Sequence, residues 1–140
     1  MFVLHPKLAE DTLPLGNFPL SRLLMMNDAN YPWFILVPRR ASIREIYQLE
    51  DMDQQQLLKE SSHLARQMSL LFRADKINIA ALGNMVPQLH LHHVARYHQD
   101  ISWPDPVWGK VSPIPYTEDR GHEIREMLTS KLLDFEPSQR

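Results

Sequence analysis

From Asp51 to Arg73 the apolar residues Leu57, Leu58, Leu64, Ala65, Met68, Leu71 and Phe72 recur at helical spacing. This predicts one long amphipathic helix over residues 52–73. Strand-like runs flank it in adjacent pairs joined by short connections. Residues 21–27 and Trp33 to Val37 form one pair around the turn Asn27-Asp28-Ala29-Asn30, and residues 76–82 and 85–96 form another around Gly83-Asn84. Strands paired in this way favour antiparallel hairpins over alternating crossovers. The expected architecture is an α+β domain, an antiparallel sheet with helices on one face.

The remaining punctuation fits this plan. Eleven prolines mark the ends of segments. Ser42-Ile43-Arg44-Glu45 has the form of a capping box and predicts a short helix through Leu49. Asp51 is expected to cap the long helix, with Gln54 three residues on. Residues 97–116, rich in proline and tryptophan, read as a loop with one short strand near Val107. Thr117 opens a C-terminal helix whose apolar stripe is Ile124, Met127, Leu128 and Leu132. With 140 residues, 44% of them hydrophobic, the chain is expected to be a single domain over 1–140.

A formal net charge of −2 argues against broad attraction to nucleic acid or to an anionic membrane. There is no cysteine, so thiolate nucleophiles, disulfides and cysteine-based metal sites are excluded. The apolar stretch at the N-terminus is too short for a signal-peptide core, and no run approaches the roughly 18 apolar residues of a membrane span. A soluble cytoplasmic protein is the expectation.

The chemistry concentrates in Gln88-Leu89-His90-Leu91-His92-His93. Side chains alternate across a strand, so Val86, Gln88, His90, His92 and Val94 share one face and Leu89, Leu91 and His93 the other. The leucine face is the natural core face beneath the long helix, which makes His93 a packed or interface histidine. Same-face neighbours lie about 6.5–7 Å apart, from a rise of roughly 3.3 Å per residue. Two imidazoles at that separation can touch one phosphate, one attacking phosphorus and the other bonding an oxygen. An unperturbed pKa of about 6.5 keeps a neutral, nucleophilic ring available near neutral pH. For covalent chemistry its Nδ1 hydrogen must be held elsewhere, for instance by a backbone carbonyl, leaving Nε2 free. Taken alone, the pattern suits a metal pair, a phosphate site or a structural role equally. His5, His63, His98 and His122 read as structural or solvated.

With its surroundings the pattern says more. The stretch from Asn78 to Val94, N-I-A-A-L-G-N-M-V-P-Q-L-H-L-H-H-V, resembles the strand pair of the histidine triad (HIT) superfamily of nucleotide hydrolases and transferases, whose signature is H-φ-H-φ-H-φ-φ with φ apolar. The hairpin ending Ile35-Leu36-Val37-Pro38-Arg39-Arg40 and the long helix extend the resemblance over about residues 20–96. It implies a small antiparallel sheet, a two-fold homodimer, and a purine nucleotide bound beside the triad strand with no cofactor. It implies that His90 is the nucleophile on the α-phosphate and that His92 bonds the phosphate or the bridging oxygen. Asn84 would stand where the family has a phosphate-contacting Gln. Asn78 would match an Asn of the preceding strand, and Asn27, Met25 and Ile35 would hold ribose and base.

The departure is Gln88, which stands where the family has its first histidine. Its backbone carbonyl can still hold the Nδ1 hydrogen of His90. Its side chain can donate to a phosphate oxygen but cannot carry a proton charge. The proline that often follows the triad is replaced by Val94-Ala95-Arg96. Arg96 reads as a solvated strand-end arginine, with reach to a phosphate as the alternative. Trp103 and Trp108 are expected to anchor a subunit contact in preference to closing over substrate. The leading expectation is a hydrolase acting on nucleoside phosphoramidates or dinucleoside polyphosphates through a nucleotidyl-histidine. A non-catalytic nucleotide sensor and a metalloprotein using His90 and His92 are the other two readings.

Overall fold

A computed structural model describes residues 1–139. Its elements run α1 (Pro6–Asp11), β1 (Thr12–Asn17), β2 (Ser21–Met26), β3 (Trp33–Pro38), α2 (Asp51–Phe72), β4 (Lys76–Ala80), β5 (Leu91–Arg96), α3 (Glu118–Thr129) and β6 (Glu136–Pro137). The strands make one antiparallel sheet in the order β4-β5-β3-β2-β1-β6. This is the expected α+β class, with the two longer helices on one face of the sheet.

Two apolar layers cover the two faces. Leu23 and Met25 of β2, Phe34 and Leu36 of β3, and Leu91 and Ala95 of β5 meet Leu57, Leu64 and Met68 of α2 and Ile124 and Leu128 of α3. Leu24, Trp33, Ile35, Val37 and Val94 point the other way, where Leu8 of α1, Val86 and Val107 cover them. Buried polar bonds tie α2 to the sheet. Glu60 accepts the backbone N–H groups of Leu20 and Ser21, and Ser61 meets His93 Nε2 at 2.7 Å. Since His93 Nδ1 donates to the Leu91 carbonyl, the Ser61 hydroxyl is the donor to Nε2. His93 is thus a packed histidine under the long helix.

The β2–β3 hairpin, α2 and α3 form where the sequence predicts them, with Thr117 accepting the Arg120 N–H as the cap of α3. Other expectations are corrected. Glu50 holds the N-cap position of the long helix without a side-chain cap bond, and Asp51 lies inside the first turn. The predicted helix over 42–49 is only a 3-10 turn at Ile46–Gln48, and its capping box is Glu45 with Gln48. Ser42 instead has a positive φ of 59°, outside any helix. The second strand of the later pair starts at Leu91, not at residue 85, because Pro87 lacks a ladder donor and residues 81–90 form an irregular crossing. No strand forms near Val107. α1 and β1 are additions. β1 contains Pro14 and Gly16 and tolerates them through a bulge between the two. At Gly16 a side chain would overlap the Glu136 carbonyl, so glycine is what lets β6 approach.

Candidate active site

β3 and β5 pair with Ile35 opposite His92 and Trp33 opposite Val94. Trp33 is therefore a diagonal same-face neighbour of His92, close enough for a large side chain to reach it. Its indole Nε1–H donates to His92 Nδ1 at 3.0 Å. An indole N–H has no acceptor capacity, so Nδ1 of His92 must be unprotonated, and the neutral ring carries its hydrogen on Nε2. His90, just before β5, has the opposite arrangement. Its Nδ1 lies 2.7 Å from the Gln88 carbonyl, which can only accept, so Nδ1 carries the hydrogen and Nε2 keeps its lone pair. The two rings sit 4.8 Å apart, nearly perpendicular. One ring offers a nucleophilic nitrogen and its neighbour an N–H donor.

Burial reinforces both neutral forms. Burial lowers the pKa of His90 below the usual imidazole value; the bond to the Gln88 carbonyl opposes this, and repulsion from His5 adds to it. His92 is lowered to about 3 by burial, then by His90 and His93. Both rings remain neutral through the physiological range.

The rings open into a cavity of about 370 Å³ whose wall includes Asn84, Val86, Met26, Trp33 and Trp108. A second cavity of about 410 Å³ adjoins it across Met26, Trp33 and Trp108 and reaches Asn27 and Asp28. Lys7 and Asp11 of α1 line both. The combination of an apolar, aromatic middle and polar ends has the size and character of a small-ligand cleft. Among the described residues, no group of three or more His, Cys, Asp or Glu side chains is arranged to hold a metal.

The residues singled out from sequence are distributed unevenly around this cleft. His90, His92 and Asn84 line the first cavity and Asn27 the second. Gln88 contributes its carbonyl, but its side chain faces the N-terminal segment: Oε1 accepts the His5 N–H and Nε2 donates to the Val3 carbonyl, both at 2.8 Å. Its amide is not directed at a phosphate. Met25 lies on the opposite face of the sheet, in the layer beneath the helices, and Ile35 is fully buried below His92. Asn78 turns its Oδ1 to Arg96. None of these three reaches the cavity surface around the histidines.

Arg96 corrects its own expectation. It is 1% exposed and lies neither in solvent nor at the cleft. Its guanidinium pairs with Asp100 at 2.8 Å and bonds Asn78 and the Asp105 carbonyl, between the rings of Tyr31 and Trp103. Burial alone pushes the Asp100 carboxyl up. Arg96 and the N–H groups of Tyr97 and Ser102 outweigh that and bring it down to about 2. Both tryptophans make contacts within the chain and keep part of their surface accessible. Trp108 packs at 5.1 Å from His92 and 5.8 Å from Trp33, closing the cleft, and Trp103 packs on His98. Sequence reasoning missed Lys7, Asp11 and Trp33. Pro6 at the first position of α1 was the available signal for the first two; for Trp33 it was strand parity, readable only once the β3–β5 register is known.

A family profile for the HIT domain matches residues 9–99. Three solved structures share the fold over nearly the whole chain. A histidine triad protein from Bradyrhizobium japonicum is 44% identical with a TM-score of 0.93, covering 94% of this chain and 98% of that one. One from Marinobacter aquaeolei VT8 is 55% identical with a TM-score of 0.92, covering 93% and 95%. A third, from Sinorhizobium meliloti 1021, is 39% identical with a TM-score of 0.92, covering 94% and 98%. No curated protein matches the chain.

Proposed function

The chain belongs to the HIT domain family, and from that premise we propose that it is a hydrolase or transferase that cleaves purine nucleotide derivatives at the α-phosphorus through a nucleotidyl-His90 intermediate. The observation that carries this reading is the pairing of opposite tautomers. His90 Nε2, with Nδ1–H held by the Gln88 carbonyl, faces the same cavity as a ring whose Nε2–H is fixed as a donor.

The steps follow from those roles. The Nε2 lone pair of His90 forms a bond to the α-phosphorus, and the bond from phosphorus to the leaving group breaks, its electron pair departing with the leaving group. His92 Nε2–H and the Asn84 amide stabilise the charge that grows on the phosphoryl oxygens. Water then attacks phosphorus and returns the electron pair to Nε2, releasing a nucleoside monophosphate and a proton. Trp33 and Trp108 supply flat apolar surface suited to a purine. No residue of the proposed mechanism requires a metal.

A two-fold homodimer is part of this reading. β4 pairs only with β5 among the described strands, and its half-exposed Ile79 lies on that open edge. A cytoplasmic setting goes with a nucleotide substrate. The fact that the Gln88 side chain turns away from the cleft favours a second reading, a nucleotide-binding sensor with little turnover.

Intact-mass spectrometry of the protein quenched during reaction with diadenosine tetraphosphate or an AMP phosphoramidate separates the two. The enzyme reading expects an added AMP group on wild type and none on His90→Ala. That variant should lose turnover by several orders of magnitude while still binding AMP. Ordinary activity in His90→Ala would overturn the mechanism, and AMP binding with no adduct and no turnover in wild type would favour the sensor.

A further inference from the structure

We propose that this site expels only leaving groups that depart as stable anions, because the bond from Trp33 to His92 and the orientation of Gln88 leave no side chain at the reacting phosphate able to deliver a proton. The inference rests on the nucleotidyl-His90 reading and narrows its substrate class: polyphosphate and carboxylate leaving groups over amines.

Each candidate acid is excluded by its partners. His5, which acts on His90 electrostatically, accepts the Lys7 N–H at Nδ1, so a second proton on its ring would set two donors face to face. Protonating His92 would place an Nδ1–H against the indole N–H of Trp33, two donors facing each other at the present 3.0 Å. The ring's only other proton, on Nε2, can be shared in a hydrogen bond but not surrendered without leaving an imidazolate. The low pKa of His92 agrees with this geometry. Gln88 is an amide and is directed at Val3 and His5. The Nδ1–H of His90 lies on the far side of the ring from the attacking nitrogen and is held by a carbonyl. Lys7, on the cavity wall, pairs with Asp11 at 3.2 Å. That hydrogen bond and the charges of Asp11 and Glu10 raise the Lys7 pKa, making it a weaker acid than a free lysine. Asp11 is engaged as its partner.

The atom balance then selects the substrate. When the bond from His90 Nε2 to phosphorus forms, the leaving group carries away the electron pair of the bond that breaks. A phosphate or carboxylate oxygen is stable with that pair and needs no proton. The nitrogen of an alkyl phosphoramidate must acquire a proton as it leaves. An aryl oxygen lies between, according to its basicity. A general acid typically contributes about 10²- to 10⁴-fold, so an amine leaving group should be disadvantaged here by a factor of that order.

The test is a leaving-group series on AMP: p-nitrophenyl, phenyl and alkylamine derivatives beside diadenosine tetraphosphate, each measured as kcat/KM. The expectation is a steep fall with leaving-group basicity, with the alkylamine derivative roughly 10²- to 10⁴-fold below the polyphosphate. Trp33→Phe keeps the aromatic packing and removes the N–H donor, freeing His92 Nδ1 to take a proton. It should shrink that ratio, most at acidic pH. Equal efficiency for amine and polyphosphate, or a ratio that Trp33→Phe leaves unchanged, would overturn the proposal. Absence of turnover and of adduct with every member would instead overturn the enzyme reading itself, and this inference with it.

Discussion

The side chain of Gln88 grips the backbone near His5: Oε1 accepts the His5 N–H while Nε2 donates to the Val3 carbonyl, two bonds of 2.8 Å. An amide facing an extended segment in this way imitates one rung of a sheet. The grip fixes the approach to α1, where His5 Nδ1 caps the helix by accepting the Lys7 N–H. Lys7 and Asp11 of that helix are cleft wall.

Gln88→Leu and Gln88→His should both loosen this wall. Each lost bond is worth roughly 0.5–1.5 kcal/mol of stability, so the pair costs about 1–3 kcal/mol locally, and AMP affinity should fall with it. Hydrogen exchange over residues 3–11 should accelerate. His5→Pro, compared with His5→Ala, removes the same N–H at a φ of −56° that proline accepts, and should reproduce the loosening from the other partner. If Gln88→His tightened AMP binding with no change in exchange, the amide would have no such role.

Acid should destabilise the protein well above the carboxylate range. His93 is lowered to about 4, by burial against the opposing bonds to the Leu91 and Phe34 backbone, and His92 to about 3. Both rings are neutral when folded, while an unfolded imidazole takes a proton near pH 6.5. Between about pH 6.5 and 4 the unfolded chain therefore binds more protons, and stability falls as pH falls. The slope approaches about 1.4 kcal/mol per pH unit for each ring. Urea unfolding at stepped pH measures it, and a flat profile from pH 6.5 to 4.5 would contradict the buried neutral pair.

Asp100→Ala should be among the more damaging substitutions away from the cleft. It leaves the Arg96 guanidinium buried without its counter-charge, a loss of about 3–5 kcal/mol in comparable sites. Because its folded pKa is lowered, the contribution of Asp100 is present above the unfolded value near 3.9 and is lost as pH falls toward about 2. Thermal unfolding of Asp100→Ala and Arg96→Met checks this; a shift of under about 2 °C in Asp100→Ala would rule out the pair as an anchor of the 97–116 loop.

Trp108→Ala should weaken AMP binding about tenfold while Trp108→Phe retains most of it, since an aromatic contact is worth about 0.5–1.5 kcal/mol beyond its buried area. Calorimetric titration measures both. Equal affinity for wild type and Trp108→Ala would exclude the ring from the binding surface.

Local patterns revealed the helices α2 and α3, the β2–β3 hairpin and the shared face of His90 and His92, because each depends on residues a few positions apart. The Gln88 carbonyl as holder of His90 Nδ1 was legible for the same reason. What escaped depends on distance in sequence. The family resemblance places Met25 at the nucleoside, yet which face a strand residue takes is fixed by its pairing, and Met25 opposite Phe34 faces the helices. Arg96 reads as a solvated strand end because Asn78 reaches it only through the β4–β5 pairing, and Asp100, though four residues on, through a loop with no periodicity to follow. β1 was hidden by Pro14 and Gly16, which ordinarily argue against a strand. Trp108 reaches His92 through a long loop with no periodicity to follow.

His92 and His93 are consecutive and point to opposite faces of β5. A pairing shifted by one residue would exchange them, and an imidazole would still enter the cleft and another the core. Those two positions are therefore nearly blind to strand misalignment. Arg96 is not: in the native alignment it meets Asp100, and one step off it enters the apolar layer beneath α2 with no counter-charge. The buried ion pair is thus satisfied in the native alignment of β5, the one that turns His92 to the cleft and His93 to the core.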